Sequence, residues 1–161
     1  MRLVSIVLLL GYILLTPSTA LATAQVPERL VYEGKEEMMF SCPEIPENNS
    51  RIRVLTREEF NAKTARGEID SFITSTACWR QYVGGWEIKD ERLFLTNITG
   101  RYELSGEEPL FADWFSGSLR VPRGKQLDYV HMGFASVYEE DLIIHVENGV
   151  VTNTERIDNR K

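Results

Sequence analysis

Two histidines and a short set of carboxylates are the residues of this chain that could carry out proton-transfer chemistry. His131 and His145 can exchange a proton near neutral pH, and Asp113 could orient one of the two rings. The acidic run Glu139, Glu140 and Asp141 lies between them in sequence. A small hydrolase that uses His131 with Asp113 is therefore one hypothesis. The sequence has no G-x-S-x-G or H-E-x-x-H motif, and structural histidines are the expected alternative.

Aromatic residues beside glycines form a second candidate site. Residues 77–88 and 110–117 contain all three tryptophans, and Gly84 and Gly85 lie in the first of these segments. Such residues could stack against a sugar ring or form the hot spot of a protein interface, but they could equally form the core of a small β domain. The candidate binding residues are Trp79, Arg80, Tyr82, Trp86, Asp113 and Trp114.

The same segments carry a family resemblance. The patterns A-C-W-R-x-Y-x-G-x-W-E-I, F-A-D-W-F-S-G-x-L-R-V-P and Y-V-H-M-G-F-x-S-V-Y-E fall within residues 77–150. Over this range the chain resembles a family of small uncharacterised bacterial proteins. The resemblance implies a bacterial origin, and hence a periplasmic location, but it implies no activity, ligand or site residue.

The amino terminus predicts export from the cytoplasm. Arg2 is followed by an apolar run at 3–15, and the small residues Ala22 and Ala24 form an A-x-A site before Gln25. This order is typical of a secretory signal peptide, which we expect to be removed after residue 24. An uncleaved membrane anchor is the alternative, although the apolar run is shorter than the roughly 20 residues that span a bilayer.

Cleavage at this site leaves 137 of the 161 residues, a length that suits one β-rich domain at 25–161. Loss of Arg2 changes the formal net charge from −6 to −7. An acidic domain is poorly suited to binding nucleic acid, whose phosphates need a basic surface, whereas a cationic protein partner would suit it. No stable membrane anchor is expected after cleavage.

The two cysteines predict a disulfide. Cys42 and Cys78 would lie in an oxidising compartment, where a pair of cysteines is usually bridged, although two buried free thiols are the alternative. Two cysteines 36 residues apart and two histidines 14 apart match no zinc spacing, so no metal or cofactor is predicted. The acidic run at 139–141 is expected to be a solvated turn, with an acidic docking patch or a calcium site as alternatives.

The pattern of apolar residues predicts a β-dominated α+β fold, with a mostly antiparallel sheet that is curved or forms a sandwich or barrel. Thr56 and Glu59 form a capping box that begins one short helix, which Gly67 ends and which should cover a face or edge of the sheet. Asn148 and Gly149 predict a type I′ hairpin turn. Residues 154–161 are expected to fray. Strands are predicted at 30–32, 38–40 and 51–55. From about Ile69 onward the chain is predicted to form strands, most clearly at 86–88, 93–95, 101–104, 110–115, 118–121, 128–138, 142–147 and 150–152.

Together these patterns favour a small exported binding protein, periplasmic or secreted, that acts through a surface. Its partner would be an envelope protein, as for an inhibitor, immunity or exclusion factor, or a cell-wall glycan. A His-dependent hydrolase of an envelope substrate and a structural envelope component are the alternatives. The oligomeric state and the identity of the partner have no signal in the sequence.

Overall fold

The computed structural model of the chain describes residues 23–160. The predicted signal peptide therefore lies outside the described residues, apart from Thr23 and Ala24. These two residues contact a later loop, because Ala24 forms a parallel bridge with Gly133 and the Gly133 N–H donates to the Thr23 carbonyl at 3.3 Å. Within residues 23–160, no helix has the length and apolar character needed to cross a membrane.

Strands dominate the described chain, as the alternating apolar pattern predicts. Seven strands and a short eighth, β7, form one sheet in the order β2-β1-β4-β5-β10-β9-β8, with β7 beside β5, while β3 and β6 form a separate pair. The strands are β1 (Glu28–Tyr32), β2 (Lys35–Met39), β3 (Ile52–Val54), β4 (Tyr82–Lys89), β5 (Arg92–Gly100), β6 (Tyr102–Leu104), β7 (Leu110–Phe111), β8 (Gly117–Asp128), β9 (Val137–Glu147) and β10 (Val150–Asp158).

The large sheet is antiparallel except between β1 and β4, which run parallel. Its two edge strands, β2 and β8, approach each other: the Phe40 N–H donates to the Arg120 carbonyl at 2.7 Å, and Arg123 Nε bonds Glu37 Oε2 at 2.8 Å. The strands form no continuous ladder there, so the sheet is not closed into a barrel.

The helix α1 (Arg57–Ala65) forms where the capping box predicts it. The Thr56 side chain accepts from the Glu59 N–H, and the Glu59 carboxylate accepts from the Thr56 N–H. No residue of α1 is buried, and ion pairs connect it to the small β3–β6 pair: Arg53 bonds Glu59 at 2.8 Å and Lys63 bonds Glu103 at 2.9 Å. The helix is thus a cover for this two-stranded sheet.

Two apolar clusters fill the interior. The larger one lies on the main sheet and includes Leu30, Trp86, Leu95, Leu119 and Ile144, all at most 1% exposed. A smaller cluster lies under α1 and the 3₁₀ turns, and consists of Leu55, Ile69, Ile73, Cys78 and Val83, with Val26 and Phe60 packed against it.

The hairpin turn predicted at Asn148 and Gly149 forms. Asn148 and Gly149 both have positive φ, of 50° and 77°, which is the type I′ geometry expected between β9 and β10. Asp90 and Glu91 adopt the same conformation between β4 and β5, with φ of 50° and 58°. The second turn has no glycine, so the flanking strand pairing holds two residues in a region that side chains rarely adopt.

Several predicted elements differ from the structure. Residues after Ile69 form 3₁₀ turns at Ser71–Thr74 and Thr76–Cys78 instead of a strand. The predicted strand at 128–138 is interrupted by a loop over 129–136, where the Arg120 guanidinium donates to the Phe134 and Ser136 carbonyls and so replaces ladder bonds.

The carboxyl-terminal prediction is also wrong in part. Residues 154–158 do not fray, because they continue β10 and pair with β9 as far as Asp158 opposite Glu140. The acidic run Glu139 to Asp141 is therefore not a solvated turn but part of β9. Asp141 is buried, and its carboxylate accepts from Arg120 Nε at 2.8 Å and Asn159 Nδ2 at 3.0 Å.

Candidate functional site

An open groove of about 720 Å³ lies where the main sheet meets the small β3–β6 pair. Three of the predicted binding residues, Trp79, Arg80 and Tyr82, line it. The opposite wall comes from the loop after β2, and the far end comes from the β5–β6 turn. The other lining residues are Glu44, Ile45, Glu47, Val54, Gln81, Arg101 and Tyr102.

Trp79 is the most exposed large hydrophobic side chain among the described residues, at 74% of its surface. It follows the 3₁₀ turn Thr76–Cys78, whose last residue is buried in the small cluster. Its backbone N–H lies 3.4 Å from Gln25 Oε1, and Val26 donates to the Ala77 carbonyl at 2.8 Å. The turn is thus fixed at both sides while the indole remains free at the rim of the groove.

Arg80 forms the floor of the groove together with a buried carboxylate beneath it. The Arg80 side chain is 3% exposed and Glu28 is fully buried, with 2.7 Å between Arg80 Nε and Glu28 Oε1. Glu28 Oε2 also accepts from the Gly84 N–H and from Trp86 Nε1 at 3.2 Å. Burial raises the pKa of the Glu28 carboxyl above 4.5, and the Arg80 charge partly offsets that rise.

The remaining nitrogens of Arg80 are unequally satisfied. Nη2 donates to the Val26 carbonyl at 2.8 Å. Nη1 is buried and has no hydrogen-bond acceptor within residues 23–160. A buried donor without an acceptor costs about 1–3 kcal/mol.

A backbone reversal brings the next two polar side chains into the groove. Gln81 has a φ of 61°, and its carbonyl accepts from the Arg101 N–H at 2.9 Å. The approach requires Gly100, because a Cβ at that position would clash with the Gln81 carbonyl. The side chains are also joined, since Arg101 Nη1 donates to Gln81 Oε1 at 3.0 Å.

The opposite wall presents carboxylates from the proline-punctuated loop. Pro43 and Ile45 are buried and anchor the loop, which leaves Glu44 and Glu47 exposed. The Tyr102 hydroxyl donates to Glu47 Oε1 at 3.0 Å. Tyr82 packs edge-on against Tyr102 with 5.4 Å between ring centroids, so the two walls are connected through aromatic contact.

A second cavity of about 420 Å³ adjoins the groove on the side of α1. Gln81 and Arg101 line both cavities. Thr56, Phe60 and Thr74 belong to the second one. The Gln81–Arg101 pair therefore lies between the two cavities.

The other predicted binding residues lie elsewhere. Trp86 is a core residue, 1% exposed, which explains why only its ring nitrogen makes a polar contact. Trp114 is partly buried against the main core, and its Nε1 donates to the Glu44 carbonyl at 2.9 Å. Trp114 thus supports the carboxylate wall from behind. Asp113 is exposed in the turn after β7, outside the groove.

The residues suggested for proton transfer do not form one site with each other. His131 is exposed in the loop after β8, and its Nδ1 lies 2.8 Å from the Tyr129 hydroxyl. The described contacts of residues 23–160 include no hydrogen bond or ion pair between His131 and Asp113.

His145 has the contacts that the sequence suggested for His131. Its Nδ1 lies 2.9 Å from Ser118 Oγ and its Nε2 lies 3.0 Å from Glu155 Oε1. A carboxylate only accepts, so in the neutral ring Nε2 carries the proton and Nδ1 accepts from the serine hydroxyl. Ser118 lies opposite His145 in the β8–β9 register, and Glu155 comes from β10. The pairing of β8 with β9 had no signal in the sequence.

Cys42 and Cys78 are free thiols in the structure. The Cys78 thiol is buried and donates to the Tyr82 carbonyl at 3.2 Å. Burial raises the pKa of the Cys42 thiol to about 12 and also raises that of Cys78. The disulfide between them therefore stays a prediction.

Comparison with known proteins adds no relative to this description. No protein-family model, no curated protein and no solved structure matches the chain. The functional argument therefore rests on the geometry of the groove and of the residues around it.

Proposed function

We propose that this protein is a small exported binding protein, periplasmic or secreted, that acts through the groove at Trp79 on a partner in the bacterial envelope. The partner is an envelope protein, as for an inhibitor, immunity or exclusion factor, or a cell-wall glycan. The observation that carries the proposal is the exposed Trp79 indole at the rim of a groove with polar walls. Exposed tryptophans of this kind are enriched among the residues that dominate binding energy.

The geometry of the surroundings supports the same conclusion. A single exposed aromatic side chain is common on protein surfaces. Yet the backbone of Trp79 is held by Gln25 and by the buried Cys78 beside it, so the ring stands on a rigid support. A preorganised aromatic contact loses little conformational entropy when a partner binds.

The test is co-sedimentation of the protein without residues 1–24 with intact bacterial cell envelopes. Wild type should bind in a saturable manner, and Trp79→Ala should weaken binding about tenfold or more, which corresponds to about 1.4 kcal/mol or more. Tyr129→Ala is the matched control, because Tyr129 is 58% exposed but lies outside the groove. Equal binding by wild type and Trp79→Ala would refute the proposal.

A second candidate, a His-dependent hydrolase of an envelope substrate, is favoured by the Ser118–His145–Glu155 contacts. In that reaction His145 Nδ1 takes the hydroxyl proton while Ser118 Oγ bonds to the carbonyl carbon of an ester. The imidazolium then protonates the leaving alcohol, and water releases the acid from the acyl-serine. These residues lie on the exposed face of the sheet, outside the groove, so they offer no cavity shared with Trp79.

A fluorophosphonate probe distinguishes this candidate from the binding function. A serine activated by His145 should be labelled at Ser118, and labelling should be lost in Ser118→Ala and in His145→Asn but kept in His131→Ala. Absence of labelling in folded wild type would exclude the Ser118 nucleophile. The result is independent of Trp79 and of envelope binding.

A further inference from the structure

The groove has charges of both signs, which limits the class of ligand that it can recognise. Its charged lining residues are two carboxylates, Glu44 and Glu47, and two guanidinium groups, Arg80 and Arg101. Glu28 neutralises Arg80 from beneath, so two carboxylates face the single guanidinium of Arg101. Ligands with strong charge, such as phosphates or basic peptide segments, would meet attraction and repulsion in the same groove.

The groove instead combines one aromatic face with many separate hydrogen-bonding groups. Trp79 offers a flat apolar surface with negative π density. Glu44 and Glu47 accept hydrogen bonds, Arg101 donates them, and Gln81 can do both. A pyranose ring has the matching properties, since its axial C–H groups form an apolar face and its hydroxyls surround the rim.

A second cavity of about 420 Å³, on the side of α1, shares Gln81 and Arg101 with the groove of about 720 Å³. We infer that the groove binds an uncharged stretch of a polysaccharide chain, with one pyranose ring stacked on Trp79. This inference rests on the proposed function and chooses the glycan over the envelope protein.

The experiment compares two preparations from the same bacterial envelopes: envelopes digested with proteinase K, which keep their polysaccharides, and detergent-extracted envelope proteins immobilised on beads. Wild type should bind the digested envelopes within about twofold of intact ones, and Trp79→Ala should bind them at least tenfold more weakly. Tyr129→Ala should remain within twofold of wild type. Binding should change less than about threefold between 50 and 300 mM NaCl, because the ligand has no charge to screen.

A double variant provides a charge test. Glu44→Gln with Glu47→Gln removes both negative charges from the wall but keeps oxygen acceptors. Binding to digested envelopes should fall less than about fivefold if the ligand is uncharged. A larger loss that disappears at 300 mM NaCl would indicate a cationic ligand and overturn the inference.

The two proposals fail in different ways. Trp79-dependent binding to intact envelopes and to the immobilised proteins, with none to the digested envelopes, would overturn the glycan and keep the binding function. Absence of Trp79-dependent binding to intact envelopes would overturn both. Thermal unfolding of each variant within about 2 °C of wild type confirms that a loss of binding is not a loss of fold.

Discussion

Replacing Arg80 by methionine would remove the counter-charge of a carboxylate that has no contact with solvent. Glu28 is fully buried, and Arg80 Nε, 2.7 Å away, is its ion-pair partner. Removing one member of a buried pair typically costs about 3–5 kcal/mol, because the remaining charge is uncompensated. For a domain of this size that loss corresponds to a fall in melting temperature of about 10–20 °C.

The pH dependence follows from the raised pKa of Glu28. Burial raises the pKa of the Glu28 carboxyl in the folded protein above its ordinary value of 4.5. Folding therefore favours the protonated carboxyl. The stability that protonation contributes is complete below pH 4.5 and is lost as the pH rises through the folded-state pKa. Without the Arg80 charge the folded-state pKa rises further. The stability deficit of Arg80→Met relative to wild type should therefore be largest near pH 7 and should shrink toward pH 4.5.

Urea unfolding at pH 7 and pH 5 measures both effects. Adding Glu28→Gln to Arg80→Met removes the unpaired charge but keeps an oxygen for the Gly84 and Trp86 donors, and it should recover about 2 kcal/mol or more at pH 7. Arg53→Met is the matched control: this arginine is 47% exposed, and its surface ion pairs should contribute little to stability. A deficit of Arg80→Met below about 1 kcal/mol, or one that does not shrink at pH 5, would refute the reasoning.

Three further predictions concern the tryptophans, the amino terminus and the cysteines. Trp86→Ala should lower the free energy of unfolding in urea by about 3–5 kcal/mol, because its ring is 1% exposed. Trp79→Ala should change it by less than about 0.5 kcal/mol, because its ring is exposed. Similar losses in the two variants would contradict this difference in burial. Protein from an expressing bacterium should begin at Gln25 by N-terminal sequencing, and a membrane-bound product that retains the initiator methionine would support an anchor instead. If the predicted disulfide forms, protein unfolded without reductant should resist alkylation at Cys42 and Cys78, and labelling of both would show that the free thiols of the structure persist.

Local sequence determined the elements whose hydrogen bonds close within a few residues. Thr56 and Glu59 cap α1 through bonds to each other's backbone, so the helix start was predictable. Asn148 and Gly149 tolerate positive φ, so the turn between β9 and β10 was predictable as well. The alternating apolar pattern likewise predicted most strands, since one face of each must be buried.

Errors occurred where distant residues decide the local conformation. The loop at 129–136 replaces a predicted strand because Arg120 supplies donors to its carbonyls. The polar segment 154–158 is a strand because β9 offers it a complete ladder, although nothing in its own composition favours that. Local patterns contain no information about such partners.

The candidate site divides in the same way. The sequence by itself identified Trp79, Arg80 and Tyr82 as candidates, because they form one contiguous segment of unusual residues. It could not separate the exposed Trp79 from the buried Trp86, since both lie among aromatics and glycines in one segment and only sheet packing decides which side of the backbone is covered.

Only the tertiary structure assembled the rest of the groove. Glu44 and Glu47 face Trp79 although they lie more than 30 residues earlier, and the parallel pairing of β1 with β4 places Glu28 under Arg80. Ser118, His145 and Glu155 meet for the same reason, through the register of three strands. Composition and the spacing of apolar residues thus determined the class of fold and one wall of the site. Strand order and register determined what that wall faces, because they depend on contacts between distant residues.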